Sequence, residues 1–460
     1  MCAMQQDFLG NPVSAMPPAV LAAVDDFIGG FLAYETRAER IVHAALGAPE
    51  SCLANVYAGF LWMFLEAPEA ATRAAVYRDA AAAAATATVR ERLNLELLDA
   101  WMADDQAAAL VLCERIADDH PRDLVALKLH QYFEFNRGNA PAMLRIALKA
   151  LDRNADVAYV HGMAAFAFEQ CHLLDQAEGA ARTALQRLRK EPWAQHALAH
   201  VMLTRGQIDA GAAFLEGVED TWTDLNSFMV THLWWHLALF HLSQGRDARV
   251  LEIYDRHCWG VAKDYSQDQI GAVSLLARLE LAGVDVGGRW AELAGYLAAR
   301  TGDTVQPFLT LQYLYGLARA GRPEADALLA AVRRAAESAP EFSRTAWRQV
   351  ALPAAEGLIA HARGDADSAW RLLGSALPRM TELGGSHAQR DLFDQILLDS
   401  AIRSGRHVQA QRLLELRRTS DPHGVPVNAA LAEVYDALQL PAQANQARER
   451  VAATRRRWAS

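Results

Sequence analysis

The stretch Trp193-Ala194-Gln195-His196-Ala197-Leu198-Ala199-His200-Val201-Met202-Leu203-Thr204-Arg205-Gly206-Gln207-Ile208-Asp209-Ala210 decides the fold. Before the glycine it is rich in Ala, Leu, Gln, Met and Arg, the strongest helix formers. Gly206 then supplies the left-handed residue that ends a helix, and polar Gln207 and Asp209 open the next one. The same grammar recurs at Gly138-Asn139-Ala140, Leu174-Asp175-Gln176-Ala177, Gly245-Arg246-Asp247-Ala248, Gly321-Arg322-Pro323, Gly364-Asp365-Ala366 and Gly405-Arg406-His407. An Ala/Leu-rich amphipathic segment follows each turn, and its small residues let two antiparallel helices approach closely.

Working outward, the Gly138, Asp175, Gly206 and Gly245 turns lie 37, 31 and 39 residues apart, and Gly321, Gly364 and Gly405 lie 43 and 41 apart. His120-Pro121-Arg122-Asp123 and Lys190-Glu191-Pro192-Trp193 sit between helix pairs. Sustained alternation of β-branched residues and Asn-Gly or Asp-Gly hairpin turns are missing from the sequence. A helix–turn–helix unit with a period in the mid-thirties is the tetratricopeptide (TPR) signature, here in degenerate form. The expectation is an all-α protein: a right-handed α-superhelix of TPR-like helix pairs, about ten of them, closing far enough to form a deep groove. N-terminal helices over 1–88 cap it and clear repeats run over 89–258. An irregular zone then opens 259–460, which continues with longer pairs and a C-terminal capping helix.

Composition narrows the function classes. The 460 residues carry 45 Lys+Arg against 55 Asp+Glu, a net charge of −10, with 52% hydrophobic residues. That much apolar surface offsets chain entropy, so a mainly disordered state is excluded. The acidic balance predicts no nucleic-acid and no anionic-membrane partner, since both require a basic surface. No secretory signal and no membrane-length apolar run is read, and the five scattered cysteines, Cys2, Cys52, Cys113, Cys171 and Cys258, suit a reducing compartment. The location expected is cytoplasmic. The basic C-terminal set Arg448, Arg450, Arg455, Arg456 and Arg457 reads as the solvated face of a capping helix.

Several ordered blocks carry a resemblance. They are His120-Pro121-x-Asp123-x-x-Ala126-Leu127-Lys128, Trp193-x-x-His196-x-x-Ala199-His200, His232-x-x-Trp235-His236-x-Ala238-Leu239, Ile253-Tyr254-Asp255, Arg289-Trp290 and Gly384-Gly385-Ser386-x-Ala388-Gln389-Arg390-Asp391-x-Phe393-x-Gln395. Over about Ala19 to Ile402 the chain resembles the tetratricopeptide repeat protein 38 family, whose bacterial members include the StaR-like group. The resemblance implies an all-α TPR-like superhelix and a cytoplasmic protein; it names no reaction. Val201-Met202-Leu203-Thr204 lacks the acidic residue that some relatives carry there.

Two features point to chemistry. His196 and His200 are spaced i,i+4, as are His232 and His236, so each pair shares a helix face. The pairs are 36 residues apart, near one repeat, and so occupy equivalent turns of neighbouring first helices. His161 and His130 extend the row. Four imidazoles on two helices suit a divalent metal, Zn²⁺, or Fe²⁺ if a carboxylate such as Glu169, Asp255 or Asp268 joins. They equally suit a polar pocket without metal, or packing among Trp193, Trp234 and Trp235. The second feature is Gly384-Gly385-Ser386-His387-Ala388-Gln389-Arg390-Asp391, where Ser386 and Gln389 make a capping box. There Arg390 and Asp391 either pair internally or place Arg390 as a clamp for a substrate carboxylate.

The function expected is a helical-repeat binding protein. Its His/Trp-lined concave surface, with Trp193, His196, His232, Trp235, Gln389 and Arg390, would take a small ligand, a peptide or a partner protein. The alternative is an enzyme of amino-acid-like or secondary metabolism, acting on a carboxylate-bearing substrate. It would use His196, His200, His232 and His236, with or without metal, together with Arg390 and Asp391; His200, His236 and Asp391 are its catalytic candidates. Sequence leaves the oligomeric state open.

Overall fold

In the computed structural model, which describes residues 5–458, the chain is all-α. A two-residue antiparallel pairing, Gln5–Gln6 with Pro12–Val13, precedes the helices. Cys2 lies outside the described residues; Cys52, Cys113, Cys171 and Cys258 are free thiols. Among the described residues, no helix is long and apolar enough to cross a membrane.

The repeat is set by its turns. A left-handed residue ends the first helix of a pair at Asp104, Gly138, His172, Gly206, Gly245, Gly283, Gly321, Gly364, Gly405 and Gln439. At each, the next residue's N–H donates to the carbonyl five positions back, as in Asn139→Glu134, Leu173→Phe168, Gln207→Met202 and Leu440→Tyr435, at 2.8–2.9 Å. This is the Schellman closure, which satisfies helix-end carbonyls and turns the chain antiparallel. From Asp104 to Gly206 the turns are spaced at 34 residues, the TPR period. The glycine turns match the sequence reading. The Leu174 turn differs, because its left-handed position belongs to His172, two residues earlier.

Within a pair the two helices have different burial. Ala158–Gln170 is buried on nearly every side, through Val160, Met163, Ala164, Phe166 and Ala167. Its partner Leu174–Arg187 buries only the stripe Ala177, Ala181 and Ala184, and exposes its charged face. Pro307–Arg319 and Glu324–Ser338 repeat this contrast. In these pairs the inner helix is buried nearly all round and the outer helix is amphipathic, as packing in a stacked array requires.

The chain falls into two compact units. One comprises the residues up to Leu198 together with Thr221–Met229; the other comprises Ala199–Asp220 and Val230 onward. In the first unit, Tyr34 and Gln195 tie in the 221–229 segment: Asn226 N–H donates to the Tyr34 carbonyl at 2.7 Å, and Trp222 Nε1 to Gln195 Oε1 at 2.8 Å. Buried Arg90 bridges Asp7 and Asp123, each at 3.0 Å, and so fixes the N-terminal segment to the first repeats.

The second unit runs through Ser227–Ser243 from Val230 on, then Ser266–Leu281, Pro307–Arg319, Leu352–Ala362, His387–Arg403 and Val425–Ala437, each followed by an outer helix. Five-residue π-turns at Tyr254–Cys258 and Trp347–Ala351 widen its period. Early and late repeats of this unit also touch. Ser243 Oγ donates to Asp421 at 2.6 Å, Arg457 pairs with Asp209 at 2.6 Å, and Gly206 packs on the Ser420 carbonyl.

That last contact gives a test. A Cβ at Gly206 would run into the Ser420 carbonyl, whereas one at Gly405 meets open space; both residues have positive φ. Gly405→Ala is expected to cost about 1–2 kcal/mol, the left-handed penalty alone. Gly206→Ala is expected to cost about 1–2 kcal/mol more, because backbone must also shift. Urea unfolding of the two variants measures the difference; equal losses would show that the Ser420 contact does not matter.

Candidate functional site

The helix His387–Arg403 organises a site in the second unit. Gly384 and Gly385, both at positive φ, end the preceding 3-10 turn. Ser386 Oγ accepts from Gln389 N–H at 3.2 Å, and Gln389 Oε1 accepts from Ser386 N–H at 2.9 Å, which completes the capping box expected from sequence. The cap sets the helix rotation. His387, Asp391, Asp394, Gln395, Leu398 and Ile402 then line one face, at intervals of three and four.

That face borders a cavity of about 530 Å³. Opposite it stand Leu203 and Thr204, then Leu239, Leu242 and Ser243, then Arg278 and Leu281, with Leu414 and Arg417 and finally Val427 and Ala430. Leucines and short aliphatic groups make most of the wall, among which stand the ionisable Arg278, Asp391, Asp394, Asp399, Arg417 and Asp421.

The ionisable groups are arranged in pairs. Asp391 receives Arg417 through two bonds, 2.5 and 3.0 Å, and Gln395 Nε2 at 2.7 Å. Arg278, 2% exposed, lies 3.9 Å from the same carboxylate and donates to the Ala388 carbonyl at 2.7 Å and to Ser274. Its guanidinium also covers the Trp235 ring at 5.3 Å. Burial alone would raise the Asp391 carboxyl, but the Arg417 and Arg278 charges hold it well below the usual carboxylate range. Burial pulls Arg278 down to about 10 against the pull of Asp391. Asp421 is raised by burial, which the Ser243 hydroxyl partly offsets.

Asp394 stands apart. It lines the cavity, keeps exposed surface there, and has no hydrogen bond or ion pair to any described residue. Burial, and then the charge of Asp391, push its carboxyl up to about 6, against the pull of the Arg417 and Arg390 charges. Both cavity guanidiniums are matched by protein acceptors, so the unmatched charge in the cavity is negative.

Beside the cavity lies a cluster of imidazoles. His200 and His236 have ring centroids 4.5 Å apart, and His232 and His236 4.8 Å. His232 stacks on Trp235 at 5.4 Å, and burial, then the His200 ring, pull its pKa down to about 3. His387 joins edge-on, 5.2 Å from His200, and its Nε2 shares a 3.0 Å hydrogen bond with Thr204 Oγ1.

In the first unit, His196 stacks on Trp193 at 4.4 Å, and Phe166 and Tyr34 complete that aromatic group. His130 pairs with Glu114 at 3.1 Å and is pulled down to about 4, chiefly by burial. His161 bonds the Ala155 carbonyl. Neither prolongs a row of ligands. Asp255 is held by Arg289 through two bonds, and Asp268 accepts from Thr231 and from the Ala262 N–H. Gln389 is committed to the cap. The Arg390 guanidinium, expected either to pair internally or to clamp a substrate carboxylate, donates to the Gly384 and Gly385 carbonyls.

Sequence reading passed over Arg278, Arg417 and Asp394. Arg278 had a signal, as a lone cation within Ser274-Leu275-Leu276-Ala277-Arg278-Leu279, an apolar inner-helix run. Asp394 sits seven positions after His387 on the same face. Nothing local marks Arg417.

No family model matches the chain. Among solved structures it is similar to the TPR domain of P58(IPK), with 13% identity over 80% of this chain and 98% of that one and a TM-score of 0.21. It is also similar to the APC/C hetero-tetramer Cut9–Hcn1, with 13% identity, 80% and 94% coverage and a TM-score of 0.26. A third similarity is to Naa15/Naa10 bound to HypK-THB, with 12% identity, 93% and 68% coverage and a TM-score of 0.24. The helical-repeat architecture stands on this chain's own turns, period and inner–outer helix contrast.

Proposed function

We propose that the second unit is a small-molecule binding module whose cavity takes a compact ligand with an apolar body and a cationic, amine-like end. The observation that carries this reading is the cavity itself: about 530 Å³, mostly aliphatic in its wall, with a few charged groups among the aliphatic ones. Small-ligand sites of roughly 300–1,000 Å³ have this composition, in which a few converging polar groups fix orientation. Charge selects the ligand class. Arg417 and Arg278 are already engaged by Asp391, Ser274 and the Ala388 carbonyl, whereas Asp394 faces the cavity with its acceptor atoms uncommitted. A ligand ammonium would relieve the repulsion between Asp394 and Asp391 and restore the ionised carboxylate. This reading keeps the small-ligand binding role expected from sequence and gives the ligand a cationic end.

Matched probes test it: hexylamine and phenethylamine against hexanoate and 3-phenylpropanoate, followed by calorimetry and thermal shift. The amines are expected to bind and the acids not. Asp394→Asn should weaken the amines at least about tenfold, the loss of one charge-assisted bond. Equal binding of acids and amines, or unchanged amine binding by the variant, would sink the proposal.

The raised Asp394 carboxyl also has a sign in stability. A folded-state pKa above the unfolded one costs nothing below the unfolded value and its full penalty above the folded value. The penalty therefore develops between the ordinary carboxylate value and about 6. Asp394→Asn should raise the melting temperature at pH 7.5 and leave it unchanged near pH 3.5. A shift of the same size at both pH values would show that the gain is not electrostatic.

A further inference from the structure

We infer that His200, His232 and His236 form a binding site for one divalent transition-metal ion of the zinc class, beside the cavity and independent of whether the cavity takes an amine. The three residues offer ring nitrogens that all lie within 4.8 Å of one another. Their rings are already close, with centroids 4.5 and 4.8 Å apart along the series His200, His236, His232. Three nitrogens on a tetrahedral zinc ion, with bonds of about 2.1 Å, stand about 3.4 Å from one another.

The placement follows from the fold. His232 and His236 sit one turn apart on Ser227–Ser243, the i,i+4 arrangement by which helical His-x-x-x-His pairs hold zinc. His200, from the helix Pro192–Thr204, completes the triangle. The neutral imidazole is the form that ligates, so binding is expected to strengthen as pH rises through the ordinary histidine range. An all-imidazole set favours Zn²⁺, Co²⁺, Ni²⁺ or Cu²⁺ over Mg²⁺ and Ca²⁺, which require oxygen ligands. Trp235 stacks on His232 and braces the ring, as a supporting shell does for ligating histidines.

His387 relates the cluster to the cavity. Its ring meets His200 edge-on at 5.2 Å, and the same residue lines the cavity. A three-ligand site keeps a position open for water or another donor, and His387 borders it from the cavity side. The competing account is that the rings only pack, and the two accounts differ in metal affinity.

The experiment uses the full chain, made without a histidine tag and stripped with chelator, and titrates it with Co²⁺ in the visible range. One equivalent should bind with d–d bands of a nitrogen-rich, four- or five-coordinate ion, and Zn²⁺ should displace it and raise the melting temperature. His232→Gln and His236→Gln should each weaken Co²⁺ by about 100-fold or more, while His130→Gln, whose ring pairs with Glu114, should not. Less than about one-tenth equivalent bound by the wild-type chain at saturating free Co²⁺ would overturn the site. So would affinity unchanged in both glutamine variants. If those variants fail to fold, the wild-type stoichiometry and spectrum decide the matter alone.

Discussion

Everything in this molecule depends on a left-handed residue followed by an N–H that reaches five positions back. That closure costs little at glycine and somewhat more at Asp104, His172 or Gln439. It ends an inner helix in a fixed direction, so the outer helix must return antiparallel and lay its alanine stripe on the first. Neither helix can bury its apolar surface alone, and stacking completes the core. Because the turns recur at near-constant spacing, a residue type placed at one turn of an inner helix reappears at the same height one repeat later. His200 and His236, 36 residues apart in sequence, meet ring to ring for that reason.

The fold was legible where the determinants are local. Glycine with a polar follower marks Gly138, Gly206, Gly245, Gly321, Gly364 and Gly405, and each has the expected conformation. Three turns of the same geometry carry Asp104, His172 and Gln439 in place of glycine, so the glycine pattern could not reveal them. The site divides along the same line. The capping box at Ser386 and the shared face of His232 and His236 follow from helix geometry alone. The role of Arg390 does not, because its partners are backbone carbonyls exposed only once Gly384 and Gly385 take positive φ. Arg278 and Arg417 meet Asp391 across 113 and 26 residues of chain, a pairing that no periodicity announces.

The cluster of Arg278, Asp391 and Arg417 also decides what the cavity can do. Burying an arginine on an apolar inner helix is costly unless its charge is answered. Asp391 answers two of them, and the cap at Ser386 positions Asp391. The cations are thereby withdrawn from the cavity and a neighbouring carboxylate is left facing it. Electrostatic character here is what remains after internal pairing, which the chain's overall net charge does not express.

The ties between Ser243 and Asp421, between Asp209 and Arg457, and between Gly206 and the Ser420 carbonyl have a kinetic side. An open repeat array behaves as a one-dimensional chain: its ends fray, and folding can start anywhere and spread. Here repeats about 180 residues or more apart in sequence are bonded to each other. Closing so long a loop forfeits entropy only logarithmically with its length, but it must happen late, after the intervening helices have formed. The second unit is thus a repeat protein with the cooperativity of a globular domain. Its terminal helices are protected from fraying by contacts that exist only when every repeat between them is in place.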